Sequence, residues 1–530
     1  MPMSKKAIHA LAAVVCALAV AGGSAAAQGT AAYAATASAP PYNITVGIGG
    51  GESEVRFAWL SNSSATGELQ IAKTSDVKGG NFPAGSTKQA ATAKITATEG
   101  VLDNPKNTDH PVSSFTDAGG APLIDEYSSK VTVGNLAPNT SYTYRVGDGT
   151  AWSSSYTFQT RSPANGFSFV AFGDPQIGAS GNAANDAAGW ANTLSKVTSK
   201  YPDANFLFSM GDQVNDYDHI YKQQQEYQGF FNPSSSVNYL QTHVLAEFSG
   251  NHDFQMGKYY SFHYNQPNLS TLGQTQTNGA ADNNGDYWFR YGSTLFMNLE
   301  GNNFYDVSAH DSFLKQAVAA NPGTKWKVVS FHQAPYSEAN HDGATSSDDD
   351  VMFMRKNWTK LMDKYAIDIV LNGHDHYYTR SFQMYGGSPV NTVKAHAATN
   401  PKGTVYFTLD SGSGSKYYKY NTTADHSFSA LGWQNNVPTY SYVNVTDKTF
   451  SVTTYATNSD TSIDTYTITK SAAVPTAATT GTAAAAGTAS NPKTGDNSGS
   501  TFAIFAVAAA ALLAAIFSAV VIIRRKAVRG

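Results

Sequence analysis

The chain has 530 residues, a formal net charge of -4, 41% hydrophobic and 12% aromatic residues, 45 glycines and one cysteine. That length exceeds one ordinary core and predicts two folded domains with non-globular ends, while the apolar content excludes wholesale disorder. The acidic balance offers no electrostatic footprint for nucleic acid, and the lone Cys16 excludes a disulfide framework and a thiolate metal site, so any metal must be held by His, Asp, Asn or Gln.

At the N-terminus Lys5 and Lys6 precede an apolar run from Ala7 to about Ala21, followed by the small residues Ala25, Ala26 and Ala27. Residues 1–27 therefore read as a secretory signal peptide, whose removal takes Cys16 with it. From 42 to 161 short runs alternate in period two, as in Glu54 to Leu60, Lys130 to Val133 and Ser141 to Val146, with a turn from Asn135 to Asn139. This predicts an all-β sandwich, structural by default because it holds no cluster of ligand-type residues.

After the loop from Ser162 to Gly166 the pattern changes, and residues 165–470 read as an α/β layered domain with central sheets flanked by helices. Continuous apolar runs such as Phe167 to Phe172, Phe206 to Phe208, Lys327 to Phe331 and Ile367 to Leu371 predict buried strands. Helical spacing appears at Ala187, Trp190, Leu194 and Val197, and again over Phe313 to Val318 and Trp358 to Tyr365. The last part, Thr404 to Phe407 and Tyr440 to about Ile468, returns to strands.

The Ala/Thr/Gly tract of 471–490 cannot pack a core and reads as a flexible spacer. In 491–530, Asn491-Pro492-Lys493-Thr494-Gly495 is followed by an apolar stretch from Thr501 to Ile523, long enough for a membrane helix, and by the basic Arg524-Arg525-Lys526. This order resembles a sortase cell-wall sorting signal of Gram-positive bacteria, with Asn491 where Leu is usual. The resemblance implies cleavage between Thr494 and Gly495, joining of Thr494 to peptidoglycan, and contact with the membrane only through the C-terminal helix. The alternative is a plain single-span protein; in both cases the folded part lies outside the cell.

The informative residues stand just past the buried strands: Gly173-Asp174-Pro175-Gln176, Gly211-Asp212-Gln213-Val214-Asn215, Gly250-Asn251-His252-Asp253, His332, and Gly373-His374-Asp375-His376. In open α/β sheets ligands gather at strand C-termini, so these scattered residues are expected to converge. The glycines let a carboxylate or imidazole approach where a Cβ would clash. A pair of metal ions clamping a phosphoryl group needs a bridging carboxylate and neutral donors at its sides. Asp212 suits the bridge, Asp174 and His376 one metal, and Asn251, His332 and His374 the other; such mixed N/O ligation fits Zn, Mn, Fe or Co.

Taken together these motifs resemble the calcineurin-like metallophosphoesterase superfamily. The layout resembles its purple acid phosphatase branch, with a fibronectin-III-like sandwich ahead of the catalytic domain. Further support comes from Val370 to Arg380, Gly403 to Tyr406, Ser411 to Lys416 and, in the sandwich, Leu136 to Asp148. The resemblance implies two divalent or trivalent metal ions (Fe, Zn or Mn), a phosphate-ester substrate, and attack on phosphorus by a metal-activated hydroxide. His252, beside the ligand Asn251, is then expected to protonate the leaving oxygen or to stabilise the transition state as an imidazolium, and Asp253 to hold a neighbouring His by hydrogen bond.

Two positions depart from the pattern. Asn215 stands where that branch has an iron-binding tyrosinate, which argues against a purple ferric centre, and Gln176 stands where other members have His. Gln176 and Asn215 are kept as metal-site candidates. Asp348, Asp349 and Asp350 read as a solvated loop. His219, His263, His310 and His341 could line a substrate mouth, and Tyr417, Tyr418 and Tyr420 could flank an organic leaving group. Beside phosphomonoester hydrolysis stand phosphodiester or nucleotide hydrolysis at the same site, and a non-catalytic display role.

Overall fold

The structure is a computed structural model that describes residues 40–95, 126–216, 220–254, 259–277, 280–281, 284–339, 341 and 349–471. The signal peptide, spacer, apolar span and sorting motif expected from the sequence lie outside these residues, as do His219 and Asp348. Among the described residues no helix is long and apolar enough to cross a membrane.

Two large sheets pack face to face with helices on their outer sides. The first has eleven strands, in the order Ala397–Thr399, Ser462–Thr469, Thr449–Ala456, Thr439–Val445, Phe167–Phe172, Phe206–Ser209, Leu245–Glu247, Tyr42–Ile48, Val55–Ser61, Glu126–Val133 and Ala91–Ile95. The second has seven: Tyr287–Tyr291, Thr294–Asn298, Trp326–Ser330, Ile369–Asn372, Val405–Thr408, Tyr378–Ser381 and Ser429–Trp433. The central strands of both run parallel, which brings their C-terminal ends to a common edge.

The sequence explains this layering. Every residue of Phe167–Phe172 is buried, because the strand is covered on both faces. Phe169 and Ala171 point between the sheets with Phe206, Phe208, Phe296, Val328 and Phe407, while Val170 and Phe172 face the helix that carries Trp190, Leu194 and Val197. A strand buried on both sides loses the polar half of its alternation and reads as a continuous apolar run. That helix, Ala183–Lys200, starts at Asn182, whose side chain accepts the Asn185 N–H at 3.2 Å. On the far side of the second sheet, Val307–Ala320 and Asp349–Tyr365 lay Phe313, Leu314, Met354 and Trp358 against Met297, Val329 and Val370.

Two differences from the sequence reading have physical causes. Asp349 and Asp350 open a helix instead of lying in a loop, and Asp350 stands in its first turn, where a carboxylate favours the helix dipole. The N-terminal sandwich also shares its larger sheet with the domain that follows. Tyr42–Ile48 pairs in parallel with Leu245–Glu247, Gly47 opposite Leu245, and so extends the eleven-stranded sheet. Its partner sheet, Thr87–Gln89, Glu68–Lys73, Ser141–Gly147 and Tyr156–Gln159, closes a core of Ile44, Val46, Phe57, Trp59, Leu69, Tyr144 and Phe158.

Candidate metal centre

Asp174 and Asp212 follow neighbouring strands of the first sheet, Phe167–Phe172 and Phe206–Ser209, and Asn251 follows Leu245–Glu247. His332, His374 and His376 follow Trp326–Ser330 and Ile369–Asn372 of the second sheet. The two sheets thus meet their polar ends over one small volume. His332 Nε2 lies 3.2 Å from Asp212 Oδ2 and 3.9 Å from Asp174 Oδ2, and His376 Nε2 lies 3.2 Å from Asp174 Oδ2. His374 Nδ1 stands 3.1 Å from Asn251 Oδ1. The potential ligand atoms of Asp174, Asp212 and His332 all fall within 4.8 Å of one another, and all three residues are buried.

The glycines permit this crowding. A Cβ on Gly250 would stand 2.0 Å from Asp212 Oδ1, one on Gly373 2.2 Å from Asp174 Oδ1, and one on Gly211 2.6 Å from His332 Nδ1. Close to these glycines, Asp212, His374 and His376 adopt φ of +43°, +75° and +41°, and Gln176 +34°. Left-handed backbone at residues with a Cβ costs on the order of 1–3 kcal/mol each and persists where the surroundings over-determine it.

Hydrogen bonds from the far side orient the ligands. The Met210 carbonyl accepts from His332 Nδ1 at 2.8 Å, and the Lys416 carbonyl accepts from His376 Nδ1 at 3.0 Å. A carbonyl can only accept, so each Nδ1 carries a proton and each Nε2 is the ring atom turned toward the carboxylates, where a bound cation would take the place of its proton. Asp174 accepts the His374 N–H at 2.9 Å, and Asp212 Oδ1 accepts the His252 N–H at 2.9 Å. Burial alone would push Asp212 up, but the charges of His332 and His252 hold it well below the usual carboxylate range. Burial opposes a charge on His332, and the carboxylates of Asp212 and Asp174 outweigh it, raising the imidazole to about 10.

These residues fit a bound cation. The buried His332 Nε2 and the buried Gln176 Oε1 have no hydrogen-bond partner, and both residues border the two carboxylates. Gln176 Nε2 lies 3.5 Å from Asp212 Oδ2, which places this side chain beside the centre.

His252 keeps part of its ring open to solvent, with Nε2 4.0 Å from Asp212 Oδ2 and Nδ1 2.5 Å from the Asn215 carbonyl oxygen. Asn215 thus enters the site through its main chain. Asp253, expected to hold a histidine, instead accepts the backbone N–H groups of Gln213 at 3.2 Å and Gly250 at 2.9 Å and the Tyr227 hydroxyl at 3.2 Å, bracing the two loops that carry Asp212 and Asn251.

Of the histidines considered for a substrate mouth, His263 and His310 lie in the core. His263 stacks on Tyr227 with ring centroids 3.9 Å apart, and His310 pairs with the buried Asp286 at 2.8 Å. His341 does reach the site: its ring centroid is 4.3 Å from that of His374, and its main-chain N–H donates to Asp375 Oδ1 at 2.9 Å. Tyr418 stands 5.4 Å from both His376 and His341. Spacing alone did not assign the supporting groups Asp375, Gln434 and the Met210 and Lys416 carbonyls. Carbonyls carry no residue signature, and Gln434 reaches the His376 carbonyl at 2.6 Å across 58 residues.

Fold and site define a metallophosphoesterase-type centre, with two histidine-bearing loops closing over two carboxylate-bearing ones. Residues 41–160 match the family described as purple acid phosphatase, N-terminal domain, and residues 167–378 match the calcineurin-like phosphoesterase family. The chain therefore carries a purple acid phosphatase N-terminal domain followed by a calcineurin-like metallophosphoesterase domain.

Relatives include a probable inactive purple acid phosphatase of Arabidopsis thaliana, 26% identical over 53% of this chain and 48% of its own length. A nucleotide pyrophosphatase/phosphodiesterase of Hordeum vulgare is 23% identical over 51% of this chain and 76% of its own. The chain spans about half the length of the Arabidopsis relatives it matches. A purple acid phosphatase structure from yellow lupin (Lupinus luteus) seeds shares the fold, with a TM-score of 0.60 at 18% identity over 81% of this chain and 74% of that one.

Proposed function

We propose that the protein hydrolyses phosphomonoesters outside the cell at a dinuclear metal centre. The supporting observation is the convergence of two buried carboxylates on the unpartnered Nε2 of His332, with Asn251, His374 and His376 alongside. Two divalent cations held by Asp174, Asp212, Asn251, His332, His374 and His376 would neutralise phosphoryl charge and acidify a water at neutral pH. The chain's own contribution is positional. Asp212 and Asp174 are held in fixed orientation by backbone donors, so no carboxylate must reorganise when an ester enters. His252, its Nδ1 proton committed to the Asn215 carbonyl, would as the imidazolium carry a second proton on Nε2 and return to neutral imidazole on giving it to a leaving oxygen. His341 adds a second imidazole at that side, beside His374.

Secretion and attachment through Thr494 complete this reading, on the strength of the terminal sequence motifs. Hydrolysis of p-nitrophenyl phosphate by the secreted chain, lost on chelation and restored by Zn, Mn or Fe, tests it. A metal-loaded protein inactive on mono- and diesters alike would favour the display role and match the "inactive" of the Arabidopsis relatives' names. A chain found in the medium, or held by the membrane span, instead of covalently on peptidoglycan would remove the sortase step.

A second reading, hydrolysis of nucleotides or diesters, draws on the aromatic and basic rim formed by Tyr418 and Lys416.

A further inference from the structure

The helix Ile220–Phe231 lies against the loop that carries His252 and the loop that holds its ring, and four of its side chains reach them. Lys222 pairs with Asp216 at 2.9 Å, Gln223 Nε2 donates to the His252 carbonyl at 3.3 Å, and the Tyr227 hydroxyl donates to Asp253 at 3.2 Å. The fourth is the buried Glu226, whose Oε2 accepts the N–H groups of Asn215 at 2.8 Å and Asp216 at 2.7 Å. Residues 222, 223, 226 and 227 share one helix face, so a single rigid element meets both loops. Room for the carboxyl comes from Gly178, with φ +109°, where a Cβ would stand 2.0 Å from Glu226 Oε1.

One planar peptide joins Glu226 to His252. The Asn215 carbonyl that accepts from His252 Nδ1 at 2.5 Å and the Asp216 N–H that donates to Glu226 belong to the same peptide unit. In a trans unit the C=O and the N–H point in opposite directions within one plane, so a hydrogen bond that fixes one end fixes the other. Chained hydrogen bonds also polarise one another: donation to a carboxyl oxygen moves electron density onto the carbonyl that holds the imidazole. The Asn215 N–H, shared between Glu226 and the Ile177 carbonyl at 3.0 Å, pins the start of the same turn.

On the reading of the centre as a phosphoester hydrolase with His252 as its acid, we propose that Glu226 is a positioning residue for His252. It acts through the Asn215–Asp216 peptide, and esters of aliphatic alcohols are the substrates that depend on it. An aliphatic alcohol leaves as a strongly basic oxygen that needs a proton while the P–O bond breaks, whereas p-nitrophenolate leaves without one. In that step a water oxygen bonds to phosphorus, and the ester P–O bond breaks with its electron pair on the alcohol oxygen. That oxygen takes the Nε2 proton of the His252 imidazolium. The proton released by the water restores the imidazolium, so ester and water give alcohol and orthophosphate. The ring must aim Nε2 at the leaving oxygen throughout, and the Nδ1–H bond to Asn215 that keeps it there is the one Glu226 steadies.

Removing the acceptor tests the link. Glu226→Leu in the metal-loaded full chain should lower kcat on glycerol 2-phosphate about 30-fold and kcat on p-nitrophenyl phosphate less than about 3-fold, the scale of one hydrogen bond to a charged group. KM for both esters and metal content should stay as in the parent. Glu226→Gln keeps an acceptor oxygen and should recover most of the loss. In a His252→Ala background, Glu226→Leu should alter the ratio of the two rates no further. Should Glu226→Leu not fold, Glu226→Asp withdraws the carboxyl by one methylene, and the same ratio is read.

Equal losses on the two esters would make Glu226 a mere prop for the loop and overturn the proposal, as would full kcat on glycerol 2-phosphate in Glu226→Leu and Glu226→Asp. Proton NMR of the zinc-loaded chain reads the link without turnover. The downfield Nδ1 proton signal, assigned by its loss in His252→Ala, should vanish or move in Glu226→Leu and persist in Glu226→Gln. A signal unmoved by Glu226→Leu, or no such signal in the parent, overturns the proposal. A signal that responds as expected in a chain that hydrolyses neither ester keeps the positioning role and removes the hydrolase reading.

Discussion

The Nδ1 of His252 lies 2.5 Å from the main-chain carbonyl oxygen of Asn215. That one contact keeps a proton on Nδ1, so the proton His252 would give to a leaving oxygen is the second one, carried on Nε2 by the imidazolium on the side that faces Asp212. His252→Ala should therefore lower kcat about 100-fold or more while leaving metal content unchanged, as general-acid groups typically contribute. The check is turnover with an ester whose leaving group needs protonation, set against p-nitrophenyl phosphate, whose leaving group needs it little. An equal loss on both substrates would assign His252 to binding instead of proton transfer.

Asp212 is the carboxylate that meets most of the site: His332, His252 and Gln176 all converge on it. Asp212→Asn removes the charge with little change in shape, so a folded protein with little or no bound metal is expected. Activity should fall by more than about 1,000-fold, since breaking the donor set removes the electrostatic stabilisation as a whole. Elemental analysis of the purified variant, with its melting temperature, decides the point. Retention of both metals by Asp212→Asn would contradict the bridging role.

Gln176 and Asn215 decide the character of the metals. Neither position supplies a tyrosinate, so an iron-loaded chain should lack an intense visible charge-transfer band. Gln176→Ala should weaken one of the two metals by about 10-fold, the scale seen when a group supporting a metal site is lost. A visible spectrum during iron titration and a competition titration with a chromogenic chelator give these two readouts. Unchanged metal affinity in Gln176→Ala would place the side chain outside the coordination of either ion.

The centre was legible in the sequence because each ligand follows a strand whose both faces are buried, and such strands announce themselves as apolar runs. Phe167–Phe172 and Ile369–Asn372 are of this kind, and the polar residue beyond each run then stands out. The glycines carried a second signal, since Gly211, Gly250 and Gly373 each sit where a Cβ would collide with a candidate ligand. The bracing was not legible. Asp253 beside two ligands looks like a partner for an imidazole, yet it is spent on backbone N–H groups, because sharp turns with left-handed residues leave donors that only a buried carboxylate can satisfy. His263 and His310 were indistinguishable from surface histidines until their aromatic and carboxylate neighbours, distant in sequence, closed around them.

His263 makes stability depend on pH. It is fully buried, stacked on Tyr227, with Tyr259, Tyr264 and Phe231 around it; Tyr259 offers its carbonyl to Nδ1, and Lys130 is the nearby cation. Burial drives the imidazole down from 6.5 to about 3. Between those values the unfolded chain binds a proton that the folded chain refuses, so the contribution is complete above pH 6.5 and is lost progressively as pH falls toward 3. At pH 4.5 the loss from this group amounts to roughly 2–3 kcal/mol. Urea unfolding of the parent and of His263→Phe at pH 8 and pH 4.5 measures it: the variant should start lower at pH 8 and show the smaller drop. Equal drops in both proteins would mean that other groups set the acid limit.

The shared sheet makes a prediction about the N-terminal domain. Tyr42–Ile48 covers the edge of Leu245–Glu247, the strand that leads to Asn251. Polar contacts run across the same seam, three of them from side chains of the sandwich to the segments around Leu245–Glu247. Tyr144 donates its hydroxyl to the Gln241 carbonyl at 2.8 Å, the Lys130 ammonium donates to the Ser261 carbonyl at 2.5 Å, and the buried Glu126 accepts from Tyr259 at 2.9 Å. Exposing that edge would leave unpaired strand groups and a buried carboxylate without its donors, each costing on the order of 1–3 kcal/mol. The two domains should therefore melt in one transition, and a fragment starting at residue 165 should be insoluble or melt far below the parent. Substituting Glu126→Leu removes the carboxylate and isolates the seam from the rest of the sandwich: it should lower the single transition without splitting it. Two separated transitions in calorimetry, with Asn251-dependent metal binding retained by the shorter fragment, would show that the catalytic sheet stands without its neighbour.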